Sequence, residues 1–71
     1  MSDFILIIDD EQRIIDLAKL YLEKEGFAVR SATDGLVGYR QIIEHTPALV
    51  ILDLMLPGMD GLEICRKVRA T

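Results

Sequence analysis

Two short apolar runs, residues 4–8 and 48–52, each end at acidic residues in this 71-residue chain. Asp9 and Asp10 follow the first run, and Asp53 follows the second. Such a run without polar alternation is typical of a parallel strand that is covered on both faces. Neighbouring strands lie about 4.8 Å apart, and open α/β folds bind their ligands at the carboxyl ends of such strands. We therefore expect the three carboxylates to meet, and their repulsion favours a divalent cation and phosphate chemistry.

Size and composition predict one small domain with a packed core. Hydrophobic residues make up 51% of the chain, which argues against disorder. The net charge is −4 and the basic residues are scattered, so a nucleic-acid surface is not expected. Cys65 is the single cysteine, which excludes an internal disulfide and indicates a reducing compartment. The first apolar run is too short for a signal peptide or a membrane span, so a cytoplasmic location without membrane contact is expected.

Three strand-like runs alternate with three helical patterns along the chain. This alternation predicts the order β-α-β-α-β-α with right-handed crossover connections. The middle run is partly polar, so the corresponding strand is expected at an edge of the sheet. The predicted strands are residues 4–8, 27–31 and 48–52.

The first helix is predicted over residues 11–25, where apolar residues recur at helical spacing. Asp10 is expected to be its N-cap, and Gly26 is expected to end it in a left-handed conformation. The apolar stripe is predicted to consist of Ile14, Leu17, Ala18 and Tyr21, with Ile15 and Leu22 beside it.

Two further helices are indicated by apolar spacing and by residues that break regular structure. Asp34-Gly35 precedes the second helix, Gly38 is expected to allow close packing within it, and Thr46-Pro47 is expected to end it. A Pro-Gly pair at positions 57–58 favours a type II turn. The third helix follows, where Asp60 and Glu63 have the spacing of a capping box. Apolar residues that mark these helices are Leu36, Tyr39, Ile42, Ile43, Ile64, Cys65 and Val68.

Three motifs together resemble the receiver domain of bacterial two-component response regulators. They are Ile-Ile-Asp-Asp-Glu at 7–11, Asp34-Gly35 before a helix, and Val-Ile-Leu-Asp-Leu-Met-Leu-Pro-Gly-Met-Asp-Gly at 50–61. The resemblance implies a flavodoxin-like α/β fold, whose complete parallel sheet has the strand order 2-1-3-4-5. Residues 1–71 would then be the N-terminal part of a receiver, with a three-stranded sheet of order 2-1-3 and three helices, truncated before strand 4.

The resemblance also implies roles for the acidic residues. Asp53 would be the phosphoacceptor, and the Mg²⁺ ligands would be Asp9, Asp10, Asp53 and the backbone carbonyl of Met55. Mg²⁺ prefers six oxygen ligands and usually keeps several waters, which such a set allows. The phosphoryl group would come from a sensor histidine kinase, and the chain would not itself be an enzyme. Any contact with DNA would belong to a transcriptional effector domain that is absent from these residues.

Other interpretations of the acidic residues remain open. Asp9-Asp10 alone would be explained as a helix cap, and Asp53 is what favours a functional site. A haloacid-dehalogenase-like phosphatase also places aspartate after a strand, but it requires Asp-x-Asp, whereas residues 53–55 are Asp-Leu-Met. The family's hydroxyl residue and lysine on strands 4 and 5 have no match in these residues. The alternative is therefore a non-switching fragment that keeps the acidic metal pocket and forms a homodimer through the exposed edge of strand 3.

Overall fold

The computed structural model describes residues 4–53, 56 and 58–69, which form a sheet with helices on both faces. The helices and strands follow one another in the predicted order, and the bounds of the predicted elements shift by at most one residue in the strands and in the first helix. Within the described ranges, no helix has the length and the apolar character that a bilayer span requires. In chain order the elements are β1 (Phe4–Ile8), α1 (Gln12–Lys24), β2 (Ala28–Ala32), α2 (Gly35–His45), β3 (Leu49–Leu52) and α3 (Gly61–Arg69).

The three strands form one parallel sheet in the order β2-β1-β3, which confirms the predicted topology and the edge position of β2. In this register Ile8 lies opposite both Ala32 of β2 and Leu52 of β3. All three strands therefore end at the same level. The polar residues that follow them leave the sheet along a single edge.

Strand β1 is the core of the molecule, because each of its residues is at most 6% exposed. Its even-numbered residues face α2 and α3, where Ile42 and Ile64 complete a buried cluster. Its odd-numbered residues face α1, where Ile15 is buried with them. The strand is thus covered on both faces, as predicted, and its sequence carries no polar side chain that such burial would penalise.

Strand β3 differs from this prediction, because only one of its faces is covered by described residues. Val50 and Leu52 pack against the α2–α3 side of the core. In contrast, Leu49 and Ile51 are 55% and 42% exposed. Helix α1 lies over β1 and β2, where it packs on Ile5, Ile7 and Val29 rather than on Leu49 and Ile51. The expectation that β3 is buried on both faces is therefore wrong.

The buried stripe of α1 lies one position away from the predicted one. Ile15, with Ala18 and Leu22 beside it, packs on the sheet. Of the predicted stripe, Ile14, Leu17 and Tyr21 are 47–62% exposed. The sequence has apolar residues on two adjacent rows of this helix, and only contact with the sheet decides which row is buried.

Local sequence determines where α1 ends. Gly26 has φ +94°, the left-handed conformation predicted for it. Its N–H donates to the carbonyl of Glu23 at 3.0 Å, and the N–H of Phe27 donates to the carbonyl of Leu22 at 3.0 Å. This pair of bonds is the Schellman pattern, which satisfies two carbonyls of the last helical turn.

Helix α2 ends as predicted, and it begins at Gly35, inside the doublet that was predicted to precede it. The Asp34 carboxylate accepts hydrogen bonds from two backbone N–H groups of the first turn, at 2.8 and 3.2 Å. The helix ends at His45, and Thr46 follows in a left-handed conformation before Pro47. Gly38 allows close packing, because a Cβ atom there would lie 2.5 Å from Cδ1 of Ile8.

Matched substitutions at two neighbouring isoleucines test the corrected stripe of α1. We expect Ile15→Val to lower the free energy of unfolding by about 0.5–1.5 kcal/mol, because it removes a fully buried methylene. Ile14→Val removes the same group from an exposed position and should change the stability by less than about 0.5 kcal/mol. Urea unfolding followed by circular dichroism measures both. A larger loss for Ile14→Val than for Ile15→Val would contradict the assignment.

Candidate functional site

Two of the predicted acidic residues continue directly from neighbouring strands. The N–H of Asp9 donates to the carbonyl of Ala32 at 3.1 Å, which extends the ladder between β1 and β2 by one residue. The N–H of Asp53 donates to the carbonyl of Ile8 at 2.9 Å, which extends the ladder between β3 and β1 in the same way. The backbone of both residues is therefore fixed by the sheet, at its carboxyl edge.

The structure brings Asp9, Asp10 and Asp53 together. Each contributes a carboxylate oxygen, and these oxygens all lie within 4.8 Å of one another. Asp9 and Asp53 are half-buried, whereas Asp10 is exposed. Negative charges at such distances repel each other by an amount that partial burial increases. A cation placed among them would turn this repulsion into attraction.

The chemistry of these donors fits Mg²⁺. All three are hard oxygen ligands, which Mg²⁺ prefers to nitrogen or sulfur. Ligand oxygens on one octahedral Mg²⁺ are about 3–4 Å apart, since each lies about 2.1 Å from the ion. The oxygens of the cluster, which lie within 4.8 Å of one another, would therefore have to approach by about 1 Å to bind one ion. The carbonyl of Met55, the fourth predicted ligand, lies outside the described residues, so its role stays a prediction.

Asp9 is oriented by the start of α1. Its carboxylate accepts a hydrogen bond from the N–H of Glu11 at 2.9 Å. Because α1 begins at Gln12, the N-cap position is occupied by Glu11, whose side chain makes no capping bond. The prediction that Asp10 is the N-cap is therefore wrong, since the first turn starts one residue later than expected. Asp10 is a member of the carboxylate cluster and is not the cap of α1.

The end of the segment that joins β3 to α3 contains a turn residue, the cap of α3 and apolar residues that pack on the core. Gly58 has φ +83°, as the third residue of a type II turn requires, while Pro57 lies outside the described residues. The Asp60 carboxylate accepts a hydrogen bond from the N–H of Glu63 at 2.9 Å, which confirms Asp60 as the cap of α3. Met59 and Leu56 pack against the α2–α3 side of the core.

One contact of this segment was not anticipated from the sequence. Gly58 and Met59 lie directly against Asp34 and Gly35, at the start of α2. In the sequence, Gly58 is explained by a local turn and Asp34-Gly35 by the start of a helix. Neither pattern predicts a long-range contact, so no sequence signal could have found it.

Comparison with known proteins agrees with the geometry. Transcriptional regulatory protein SrrA from Staphylococcus aureus is 48% identical over 69 residues, which cover 97% of this chain and 29% of SrrA. A CheY-like receiver domain protein from Methanospirillum hungatei superposes with a TM-score of 0.90 at 34% identity, over 99% of this chain and 56% of that one.

Response regulator protein TrrA from Thermotoga maritima is a further structural relative. Its crystal structure in complex with Mg²⁺-BeF superposes with a TM-score of 0.89 at 35% identity, over 97% of this chain and 60% of that one. TrrA has also been crystallised in complex with the histidine kinase ThkA.

The chain thus spans about three tenths of SrrA and little more than half of these solved receivers. The family model of the response regulator receiver domain matches residues 5–71. The parallel strands in the order β2-β1-β3 and their three helices agree with the flavodoxin-like fold of the CheY-like receivers to which the chain is similar. By this match over nearly its whole length, the chain belongs to the response regulator receiver domain family.

Proposed function

We propose that this chain accepts a phosphoryl group from a sensor histidine kinase on Asp53. Mg²⁺ would be bound by Asp9, Asp10 and Asp53 and by the backbone carbonyl of Met55. The observation that carries the proposal is the meeting of three carboxylates at the carboxyl edge of the sheet. The complexes of TrrA with Mg²⁺-BeF and with ThkA support it, because TrrA has the same fold.

The proposed reaction is a phosphoryl transfer between two side chains. A carboxylate oxygen of Asp53 forms a bond to phosphorus while the bond from phosphorus to the kinase's histidine nitrogen breaks. The nitrogen keeps the electron pair of that bond, and the imidazole then takes a proton from solvent. Bound Mg²⁺ supplies charge neutralisation for the phosphoryl oxygens. The chain is modified once and is not regenerated in this step, so we describe it as a phosphoacceptor rather than an enzyme.

This chain's own contribution is to position the nucleophile. The bond from the Asp53 N–H to Ile8 fixes the backbone of the acceptor, so little orientational freedom is lost when the donor docks. Asp10 is exposed beside it, which leaves the cluster accessible from solvent. Asp9 is oriented by the hydrogen bond that its carboxylate accepts from the N–H of Glu11.

We further propose that the phosphorylated receiver controls a transcriptional effector domain in the cytoplasm. The support is the similarity to SrrA, a transcriptional regulatory protein of which this chain covers 29%. The net charge of −4 agrees with an absence of direct DNA binding by these residues. Contact with DNA would then belong to the effector domain.

A second candidate function is self-association of the 71-residue chain, for which the exposure of β3 is the specific observation. Among the described residues, β3 has a neighbouring strand on one side only, and Leu49 and Ile51 are largely exposed. An apolar edge with unpaired backbone groups favours pairing with a further strand. A second copy supplies an identical edge, and two-fold symmetry would make the pairing antiparallel within a six-stranded sheet. In this case the chain would keep the acidic metal pocket but would not act as a switch.

The phosphoacceptor is tested with acetyl phosphate and Mg²⁺ as the phosphoryl source. We expect intact-protein mass spectrometry to show a gain of one phosphoryl group on the wild-type chain and none on Asp53→Asn. Asp60→Asn is the matched control, because asparagine keeps the helix cap and the carboxylate lies outside the cluster. Equal phosphorylation of wild type and Asp53→Asn would contradict the assignment.

The metal ligands are tested by calorimetric titration with Mg²⁺. Asp10→Ala should raise the Kd at least about tenfold, since it removes a proposed ligand and one negative charge. Glu11→Ala removes the same charge next to the cluster and should change the Kd by less than about twofold to threefold, because that side chain is not a member of it. Similar losses of affinity in the two variants would show that net charge, and not the proposed ligand set, governs binding.

The edge interface is tested by sedimentation velocity over a dilution series. We expect a concentration-dependent dimer that Ile51→Lys dissociates, because a charge beside the paired strand opposes edge association. Leu17→Lys places the same charge on an exposed position of α1, away from β3, and should leave the dimer intact. A monomer at every concentration of the wild-type chain would rule out the interface.

A further inference from the structure

An apolar groove lies between β3 and α3, on the face of the sheet that carries α2 and α3. Its volume is about 230 Å³. Val50 and Leu52 of β3 form its floor, and Ile64 and Val68 of α3 form its roof. Ile42 of α2 forms the inner wall, and because α2 packs over β1 and β2, the groove lies toward the open side of β3. A cavity of about 150 Å³ already takes up benzene, so this groove has room for aliphatic side chains.

The backbone of β3 directs hydrogen-bonding groups to the open side next to this groove. In β1, the carbonyl of Ile8, whose side chain faces α3, is directed to β3, whereas the N–H of Asp9, on the opposite face, is directed to β2. Each strand of a parallel sheet repeats this alternation. Val50 and Leu52 face α3 as Ile8 does, so their N–H and C=O groups are directed away from β1. None of the strands that the structure describes lies on that side.

The opposite face of the same edge is apolar as well. Leu49 and Ile51, which lie on the face that carries α1, are 55% and 42% exposed. A segment paired with β3 would therefore have apolar neighbours on both of its faces. Its alternate side chains would enter the groove beneath α3 or lie beside Leu49 and Ile51. Such a site selects an extended segment that is apolar at successive positions.

Charge distinguishes the two ends of this edge. Arg69 lines the groove and is exposed. Helix α3 follows β3 and runs back across the sheet, so Arg69, in its last turn, lies toward the amino end of β3. The carboxylate cluster that includes Asp53 lies at the other end. A segment that binds parallel to β3 is therefore favoured when an acidic residue precedes its apolar part and a basic residue follows it.

We propose that the open edge of β3 and the groove beneath α3 bind an extended peptide segment of a partner protein, which adds to the sheet as a strand next to β3. Main-chain hydrogen bonds supply affinity in this mode of recognition, and the groove supplies specificity. A single segment brings no helix with it, whereas a second copy of the chain would bring its own α3 to the same face of the paired strands. The groove thus favours the segment. The proposal goes beyond phosphorylation and does not depend on it.

The probe is the peptide acetyl-Glu-Val-Leu-Val-Leu-Lys-amide, titrated into the wild-type chain labelled with nitrogen-15. Bound parallel to β3, it places glutamate near Arg69 and the two leucines in the groove. We expect the amide resonances of Val50 and Leu52 to shift as the site fills, and those of Leu17 and Leu20 on the outer side of α1 to stay unchanged. The same titration gives the Kd. Absence of binding by the wild-type chain would rule out the site.

Two methylated peptides separate strand pairing from apolar adhesion. By the alternation of the sheet, the valine N–H groups are directed to β3 and the leucine N–H groups away from it. N-methylation of both valines removes two hydrogen bonds and should raise the Kd at least about tenfold. N-methylation of both leucines adds the same groups and should change the Kd by less than about threefold. Equal effects of the two modifications would show that the peptide does not extend the sheet, and would overturn the proposal.

A charge reversal tests the placement of the segment beneath α3. Arg69→Glu should raise the Kd of the peptide about twofold to fivefold, the range for an exposed ion pair, and should favour a peptide with lysine in place of glutamate. Arg66→Glu is the matched control, because Arg66 is exposed on the same helix and does not line the groove. Similar changes in both variants would show an effect of net charge alone, which contradicts this placement.

A second copy is the competing occupant of the same edge. Sedimentation velocity with saturating peptide distinguishes the two, because a dimer that pairs through β3 should dissociate as the peptide binds. A dimer that persists in the presence of the peptide, in a chain whose Val50 and Leu52 resonances do not respond to it, would identify the second copy as the occupant and end this proposal. Phosphorylation of Asp53 would stay untouched by that result, since neither readout uses Mg²⁺ or acetyl phosphate.

Discussion

The burial of β1 between two parallel neighbours is the constraint on which the rest of the structure depends. The strand has apolar side chains on both faces, and β2 and β3 take up the hydrogen bonds of its two edges. A polar residue that follows such a strand has no place in the core and must emerge at the carboxyl edge of the sheet. The N–H of Asp53 donates to the carbonyl of Ile8, so the carboxylate that follows β3 lies at the same edge of the sheet. The position of the acidic cluster is therefore a consequence of the hydrophobic core.

Part of the repulsion among the clustered carboxylates is offset by a helix terminus at the same edge of the sheet. Asp9 accepts the N–H of Glu11 at the start of α1, where the partial positive charge of the helix terminus favours an anion. Asp53 and Asp10 lie close to it, so a divalent cation would bind the folded chain and not the unfolded one, in which these residues are far apart. Binding of this kind stabilises the fold by mass action, which links occupancy of the site to the stability of the sheet edge.

The features that the sequence predicts correctly are those encoded by neighbouring residues. The meeting of acidic residues follows from apolar runs that end in aspartate, and Gly26 and Asp60 act within their own turns. The strand order, in contrast, was implied by the resemblance to receivers. Apart from the N-cap of α1, which lies one residue later than predicted, the failures concern choices that only distant parts of the chain decide. Which row of α1 is buried depends on the sheet beneath it, so Ile15 lies in the core and Ile14, which was predicted there, is exposed. The contact between Gly35 and the β3–α3 segment joins residues more than twenty positions apart, and no local pattern marks it.

Accepting a phosphoryl group and pairing two copies along β3 are physically compatible. The acidic cluster lies at the carboxyl end of the strands, whereas the open edge of β3, among the described strands, runs along the side of the sheet. Antiparallel pairing of β3 with its copy would direct the carboxyl ends of the two sheets to opposite sides of the dimer. At about 3.3 Å per residue, a strand of this length separates the clusters by more than about 10 Å, which exceeds the Debye length of about 8 Å at physiological salt. Electrostatic repulsion between the two sites would therefore not oppose association, and each cluster would remain open to a phosphoryl donor.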